Sequence, residues 1–162
     1  MGQRTCCVCA CILLLAAGAA CARKAPVFDA AVERVRVEQA IRASIGWAKN
    51  KDIELLYRVV SHGDDFLIVN PEERVVRGFD EFRQMEAFWM NEEFRAVRYD
   101  IRDLRISFSR SGTNAWYYCM LDDINEWKGK PANWENTRWT GVLEKQDGRW
   151  VIRQMHFSFS AK

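Results

Sequence analysis

Apolar positions recur every three or four residues along the stretch from Asp29 to Lys49. Val37, Ile41, Ile45 and Ala48 fall on one side, with charged residues between them. That spacing predicts an amphipathic helix, and Asp29 can cap its start because its carboxylate accepts from free backbone N–H groups. Asn50-Lys51 interrupts the pattern. Asp52 then caps a second, short helix over Ile53 to Val60. Ser61-His62-Gly63-Asp64-Asp65 is a turn cluster. Phe66 to Val69 reads as a short apolar strand ended by Asn70-Pro71, and Arg74 to Arg77 as another. Gly78 opens a third helix, with Phe79, Phe82, Met85 and Phe88 or Trp89 as its apolar stripe.

The pattern then changes to strands. Phe94 to Ser109 is long for one strand. Val97, Tyr99 and Ile101 share one parity, while Leu104, Ile106 and Phe108 share the other. A strand with one buried face changes parity only by inserting a residue, so a bulge is expected near Arg102-Asp103. Ser111 to Asn114 is a hairpin turn, Ala115 to Trp127 the next strand, and Gly129 to Asn133 a loop. Trp134 to Lys145 and Arg149 to Ser160 are two strands joined by Gln146-Asp147-Gly148, where Asp-Gly is a strong hairpin signal. Helices followed by long antiparallel strands imply an α+β fold. Three N-terminal helices are expected to pack on a strongly curved, mostly antiparallel sheet, cone-shaped with a pocket.

Composition adds limits. The 162 residues are 49% hydrophobic and 28% charged, which suits one globular domain. The net charge is only +2 and no basic run stands out, so there is no electrostatic case for nucleic acid. Residues 1–21 differ from the rest. A short polar start with one positive charge, Arg4, precedes an apolar run from Cys6 to Ala20. This is the pattern of a signal peptide, and the run is shorter than the roughly 20 residues of a spanning helix. Ala19-Ala20-Cys21 is similar to the end of a bacterial lipobox, with Cys21 as the lipidated residue. Gly18 stands where that motif usually has Leu, so simple cleavage is the alternative. Residues 22–28 read as a tether and 29–160 as the domain. The expected location is exported, at the cell envelope or periplasm, with membrane contact only through a lipid anchor. Four of the six cysteines lie inside the signal, so no disulfide framework follows.

Arg138-Trp139-Thr140-Gly141-Val142-Leu143-Glu144-Lys145-Gln146-Asp147-Gly148-Arg149-Trp150 and the segment Val151 to Ser158 resemble the closing hairpin of SnoaL-like proteins. These belong to the nuclear transport factor 2-like superfamily, which includes ketosteroid isomerase. Asn50-Lys51-Asp52 with Ile53 to Tyr57, and Val76-Arg77-Gly78-Phe79-Asp80-Glu81-Phe82, are similar to earlier parts of that fold. The resemblance covers about residues 30–160. It implies the cone fold but not one function, because the fold hosts several chemistries and non-catalytic binders. The isomerases' general-base Asp, set before a Pro, matches Asn70 before Pro71. Their helix-1 Tyr falls near Ser44. An amide has no basic lone pair of suitable pKa, so isomerase activity is disfavoured.

His156 is the leading candidate for chemistry. It shares strand parity with Ile152, Gln154 and Ser158, and the resembled family often points a His here into the cone. Its two readings are a base or ligand hydrogen-bonder and a satisfied core imidazole. Asp122 and Asp123 are the candidate acid partners, with Asp122 named as the catalytic one. Trp47, Tyr57, Phe66, Asn70, Phe88, Tyr117, Trp139 and His156 are the expected ligand-binding set. Trp116, Trp127 and Trp134 are candidates for an outward surface and, through it, a homodimer. With two His and no clustered ligand spacing, neither a metal nor a cofactor is expected. Three functions remain open. One is a binder of a small apolar molecule or peptide. Another is an enzyme using His156 with an acid for proton transfer or hydration. The last is an interaction module working through the sheet face.

Overall fold

The computed structural model describes Gly2 and residues 28–160. The signal, lipidation and tether assignments on residues 1–27 therefore lie outside the described residues, save Gly2. Helix α1 spans Ala30–Gly46 and runs on through a 3-10 turn at Trp47–Lys49. Asp29 caps it as expected, accepting from the N–H groups of Ala31 and Val32. Its inner face carries Val37, Ala40, Ile41 and Ser44, all buried. Helix α2 is Ile53–Tyr57, capped by Asp52 through the Leu55 N–H. It is shorter than the sequence pattern implied.

Strands β1 (Leu67–Val69) and β2 (Val75–Arg77) pair antiparallel and lead into α3 (Gly78–Arg83). Gly78 has φ +75, and a Cβ there would press on the Asp64 backbone, so a glycine suits this junction. The third helix of the sequence reading is broken. A separate single turn, α4 (Glu86–Trp89), follows α3. The apolar stripe survives the break because both pieces pack on the same core.

The remaining strands are β3 (Phe94–Phe108), β4 (Asn114–Trp127), β5 (Lys130–Pro131), β6 (Trp134–Gln146) and β7 (Arg149–Ser158). The sheet order is β2-β1-β7-β6-β4-β3, with β5 paired to β4 in what the sequence presents as a plain loop. Among the described strands only β1 and β7 pair in parallel, extended by a parallel bridge between Val60 and Ile152. The order gives an α+β fold whose helices cover the concave side of a curled sheet.

Bulges produce the curl. The expected one is present. Residues 103 and 104 oppose a single partner between the pairs Arg102↔Met120 and Arg105↔Tyr118, and Asp103 has φ 55. Val97 forms a second bulge in β3 and leaves the inward parity assigned to it; it is 36% exposed. In β6, Glu135 and Asn136 oppose Asp122 alone. In β7, Arg153 stands unpaired between Val142↔Gln154 and Leu143↔Ile152. Each bulge inverts which residues face the core beyond it. The core itself joins α1, α2 and α3 to β3, β4, β6 and β7 through residues such as Ile41, Leu56, Phe82, Leu121, Trp139 and Ile152.

Candidate functional site

A cavity of about 390 Å³ lies between the helices and the concave sheet face. The end of α1 and its 3-10 turn supply Ile45, Trp47 and Ala48, and α2 supplies Leu56. Phe82, Met85, Phe88 and Trp89 come from α3, α4 and their junction. The sheet contributes Ile68, Phe94, Trp134, Met155 and Phe157. The walls are ordered by edge and tilted contacts between rings. Trp47 meets Trp89 at 5.5 Å, Phe82 meets Trp89 at 5.1 Å, and Trp134 meets Phe157 at 5.2 Å. Glu72 and Arg74, in the β1–β2 turn, are exposed and mark the rim, as does Phe88.

Four polar side chains reach the interior. The Ser44 hydroxyl is already used, donating to the Ile41 carbonyl at 2.8 Å. Asn70 follows β1 directly, its backbone N–H held by the Arg74 carbonyl at 3.1 Å. Asp123 and Asn125 come from β4, whose odd-numbered residues face inward from Ala115 onward. Burial pushes the Asp123 carboxyl above its usual range, and the neighbouring Asn125 side chain offsets this only in part. Asn125 is 7% exposed, and its Oδ1 has no hydrogen-bond partner. Its backbone is fixed on both sides by the β5–β6 loop: its N–H donates to Asn133 Oδ1 at 3.0 Å, and its carbonyl accepts from Ala132 at 2.9 Å.

The sequence-selected residues divide into those at the cavity and those away from it. Trp47, Asn70 and Phe88 line it. Ser44 and Asn70, the positions matched to the isomerase Tyr and Asp, both border it, so the alignment placed them at the right end of the cone. Phe66 is buried core, edge-on to Phe82 at 5.1 Å. Tyr117 and Trp139 are buried perpendicular to each other at 5.2 Å, in a part of the core outside the cavity lining. Tyr57 donates to Glu86 Oε2 at 2.7 Å and ties α2 to α4 instead of lining the space. Burial and the Glu86 carboxylate hold its phenol far above the ordinary range.

Three expectations need correction. His156 is exposed on the outer face of β7 and does not enter the cone. The bulge at Arg153 is the cause: Ile152 faces in before it, and Met155 and Phe157 face in after it. Asp122 also faces outward. It accepts from Arg102 at 3.0 Å and from the Asn136 N–H at 2.7 Å, which pins the β6 bulge. The inward carboxylate is Asp123. Alternation along β4, counted from the apolar residues Tyr117, Cys119 and Leu121, was the signal that selects Asp123 and Asn125. Trp134, a candidate for the outer surface, lines the cavity, whereas Trp116 is 49% exposed outside.

Other reactive groups lie apart from the cavity lining. Burial pushes the Cys119 thiol up to about 12 despite the charge of Arg42, so it stays unreactive. His62 stacks on Phe79 at 3.9 Å, with its Nε2 against the Tyr57 carbonyl at 2.9 Å. Among the described residues no group of three His, Cys, Asp or Glu side chains could hold a metal ion. Nor is any described helix long and apolar enough to cross a membrane.

Solved structures share this architecture. An NTF2-like protein of unknown function from Prochlorococcus sp. NATL2A is similar over 80% of this chain and 94% of its own, with TM-score 0.63 and 15% identity. A proposed dehydratase of the NTF2-like family from Streptomyces avermitilis is similar over 82% of this chain and 99% of its own, with TM-score 0.68 and 18% identity. The association domain of Caenorhabditis elegans CaMKII is similar over 80% and 97%, with TM-score 0.59 and 14% identity. At such identities the likeness is one of fold. No curated protein matches the chain. The family model described as the SnoaL-like domain matches residues 37–162, from the inner face of α1 past the final strand. The chain therefore belongs to the SnoaL-like family, within the NTF2-like superfamily.

Proposed function

We propose that this domain is a binder, holding a small, largely apolar molecule in the cone without the isomerase base. The cavity is the observation that carries this reading. Its volume of about 390 Å³ and aromatic walls fit a compact organic ligand. The position matched to the isomerase base is Asn70, which cannot take a proton near neutral pH. Both members of the His156–Asp122 pair considered for proton transfer sit on the outer face, so that enzymatic reading loses its support. The test is native purification of the full chain followed by mass spectrometry for a retained small molecule. A Trp47→Ala chain that still folds is expected to lose it. A cavity found empty, with no affinity for any apolar probe, would refute the reading.

The outer sheet face favours a second, compatible role as a contact surface. Trp116, Tyr118 and Val142 are exposed side by side on neighbouring strands, being 49%, 38% and 36% accessible. A homodimer through this face is the proposed assembly, read by light scattering on the full chain. A monomer at high concentration would argue against it. Export and lipidation at Cys21 rest on the sequence features of residues 1–21, and palmitate labelling abolished by Cys21→Ala is their test.

A further inference from the structure

The acceptors at the cavity's inner wall narrow the class of ligand. Asp123 and Asn125 are two residues apart on one face of β4, which sets them roughly 7 Å apart along the strand. Asp123 makes no ion pair among the described residues. Asn125 Oδ1 is buried without a partner. Ser44 has already spent its proton on Ile41. The Asp123 carboxylate at this wall therefore has no cationic partner among the described residues, and a buried acceptor left unpaired is costly.

We propose that the ligand is an apolar amine, protonated on nitrogen, which donates to the Asp123 carboxylate while its body lies among the rings. The inference rests on the cavity-binding reading above. Competing ligand classes match the wall less well. A ketone can accept from a protonated Asp123 but brings no charge to compensate an ionised one. A carboxylate meets a second carboxylate and no cation at that wall. A primary or secondary ammonium brings two or three donors together with the opposite charge. Its positive charge also compensates an ionised Asp123 in a place where burial alone disfavours the charge. The faces of Trp47, Trp89 and Trp134 attract a cation through their quadrupoles.

The test is calorimetric titration of the full chain at neutral pH with three matched probes: 2-phenylethylamine, 2-phenylethanol and 3-phenylpropionate. The amine is expected to bind ~10-fold or more tighter than either of the others, the scale of one charge-assisted hydrogen bond. Asp123→Asn is nearly isosteric and is expected to fold. It should remove the amine's advantage over the alcohol, and circular dichroism checks the fold. Equal or tighter binding of the alcohol or the carboxylate overturns the amine assignment and leaves the cavity reading in place. An amine preference that survives Asp123→Asn also overturns it. If none of the three binds, the amine assignment falls. Native mass spectrometry then separates the outcomes, because a retained neutral molecule keeps the cavity reading and an empty protein removes both.

Discussion

The indole Nε1 of Trp150 donates to Glu33 Oε2 at 2.6 Å, joining residues 117 positions apart in the chain. Glu33 is 5% exposed, near the start of α1, and it also receives Lys145 at 2.8 Å and Arg36 at 2.9 Å. The closing hairpin is thereby locked to the first helix. Burial opposes ionisation of Glu33, but the hydrogen bonds from Lys145 and Trp150 and the charges of Lys145 and Arg36 outweigh it. Its carboxyl is held below the usual value.

Glu33→Gln is expected to lower stability by about 2 kcal/mol near neutral pH, the scale of a hydrogen bond to a charged group. The sign with pH follows from linkage. A carboxyl with a depressed folded pKa contributes its full stabilisation above its unfolded pKa and loses it as pH falls through the folded value. The difference between parent and variant should therefore shrink below about pH 4.5, the ordinary glutamate value. Urea denaturation of both proteins at neutral and acid pH measures this.

Asp123 predicts the opposite slope. Its folded pKa is raised by burial, so the unfolded chain gives up this proton first as pH increases. The folded state is penalised progressively from the unfolded pKa up through the folded one, with the full penalty above it. Asp123→Asn should raise the melting temperature at neutral pH and have little effect in acid. Thermal melts across that range decide the point; a variant less stable at neutral pH contradicts it.

Gly141→Ala is expected to destabilise the fold by roughly 1–3 kcal/mol through overpacking. A Cβ at this position would sit 2.5 Å from both the Gln154 carbonyl oxygen and the Tyr117 ring. Neither neighbour yields easily, since one is strand backbone and the other ring is 2% exposed. Chemical denaturation gives the value directly.

His156→Ala should change stability by no more than about 0.5 kcal/mol, as for a surface residue. It should also leave any molecule retained in the cone in place. Loss of that molecule in native mass spectra of this variant would mean that the imidazole reaches the cavity after all.

Much of this protein was legible in local patterns. The caps Asp29 and Asp52, the Asp147-Gly148 turn, the helical spacing of Val37, Ile41 and Ile45, and the parity switch at Asp103 all act within a few residues. Part of the cavity lining was visible too: Trp47, Phe88 and Asn70 were singled out from the chain alone, whereas Tyr57, Phe66, Tyr117, Trp139 and His156 lie outside the lining. The orientation of the later residues was not. Arg153 is one unpaired residue, held by Glu144 at 3.5 Å, by Ser61 at 2.9 Å and by Asp65, all from other parts of the chain. Those partners come together only in the folded sheet. Side chains alternate with a period of two, so that single insertion sent His156 to water and brought Met155 and Phe157 inside. The sequence by itself determined the elements, the family likeness and the aromatic filling of the cone. Only the tertiary structure decided that the polar face of the cavity is Asp123 with Asn125, because strand register depends on pairing between distant segments.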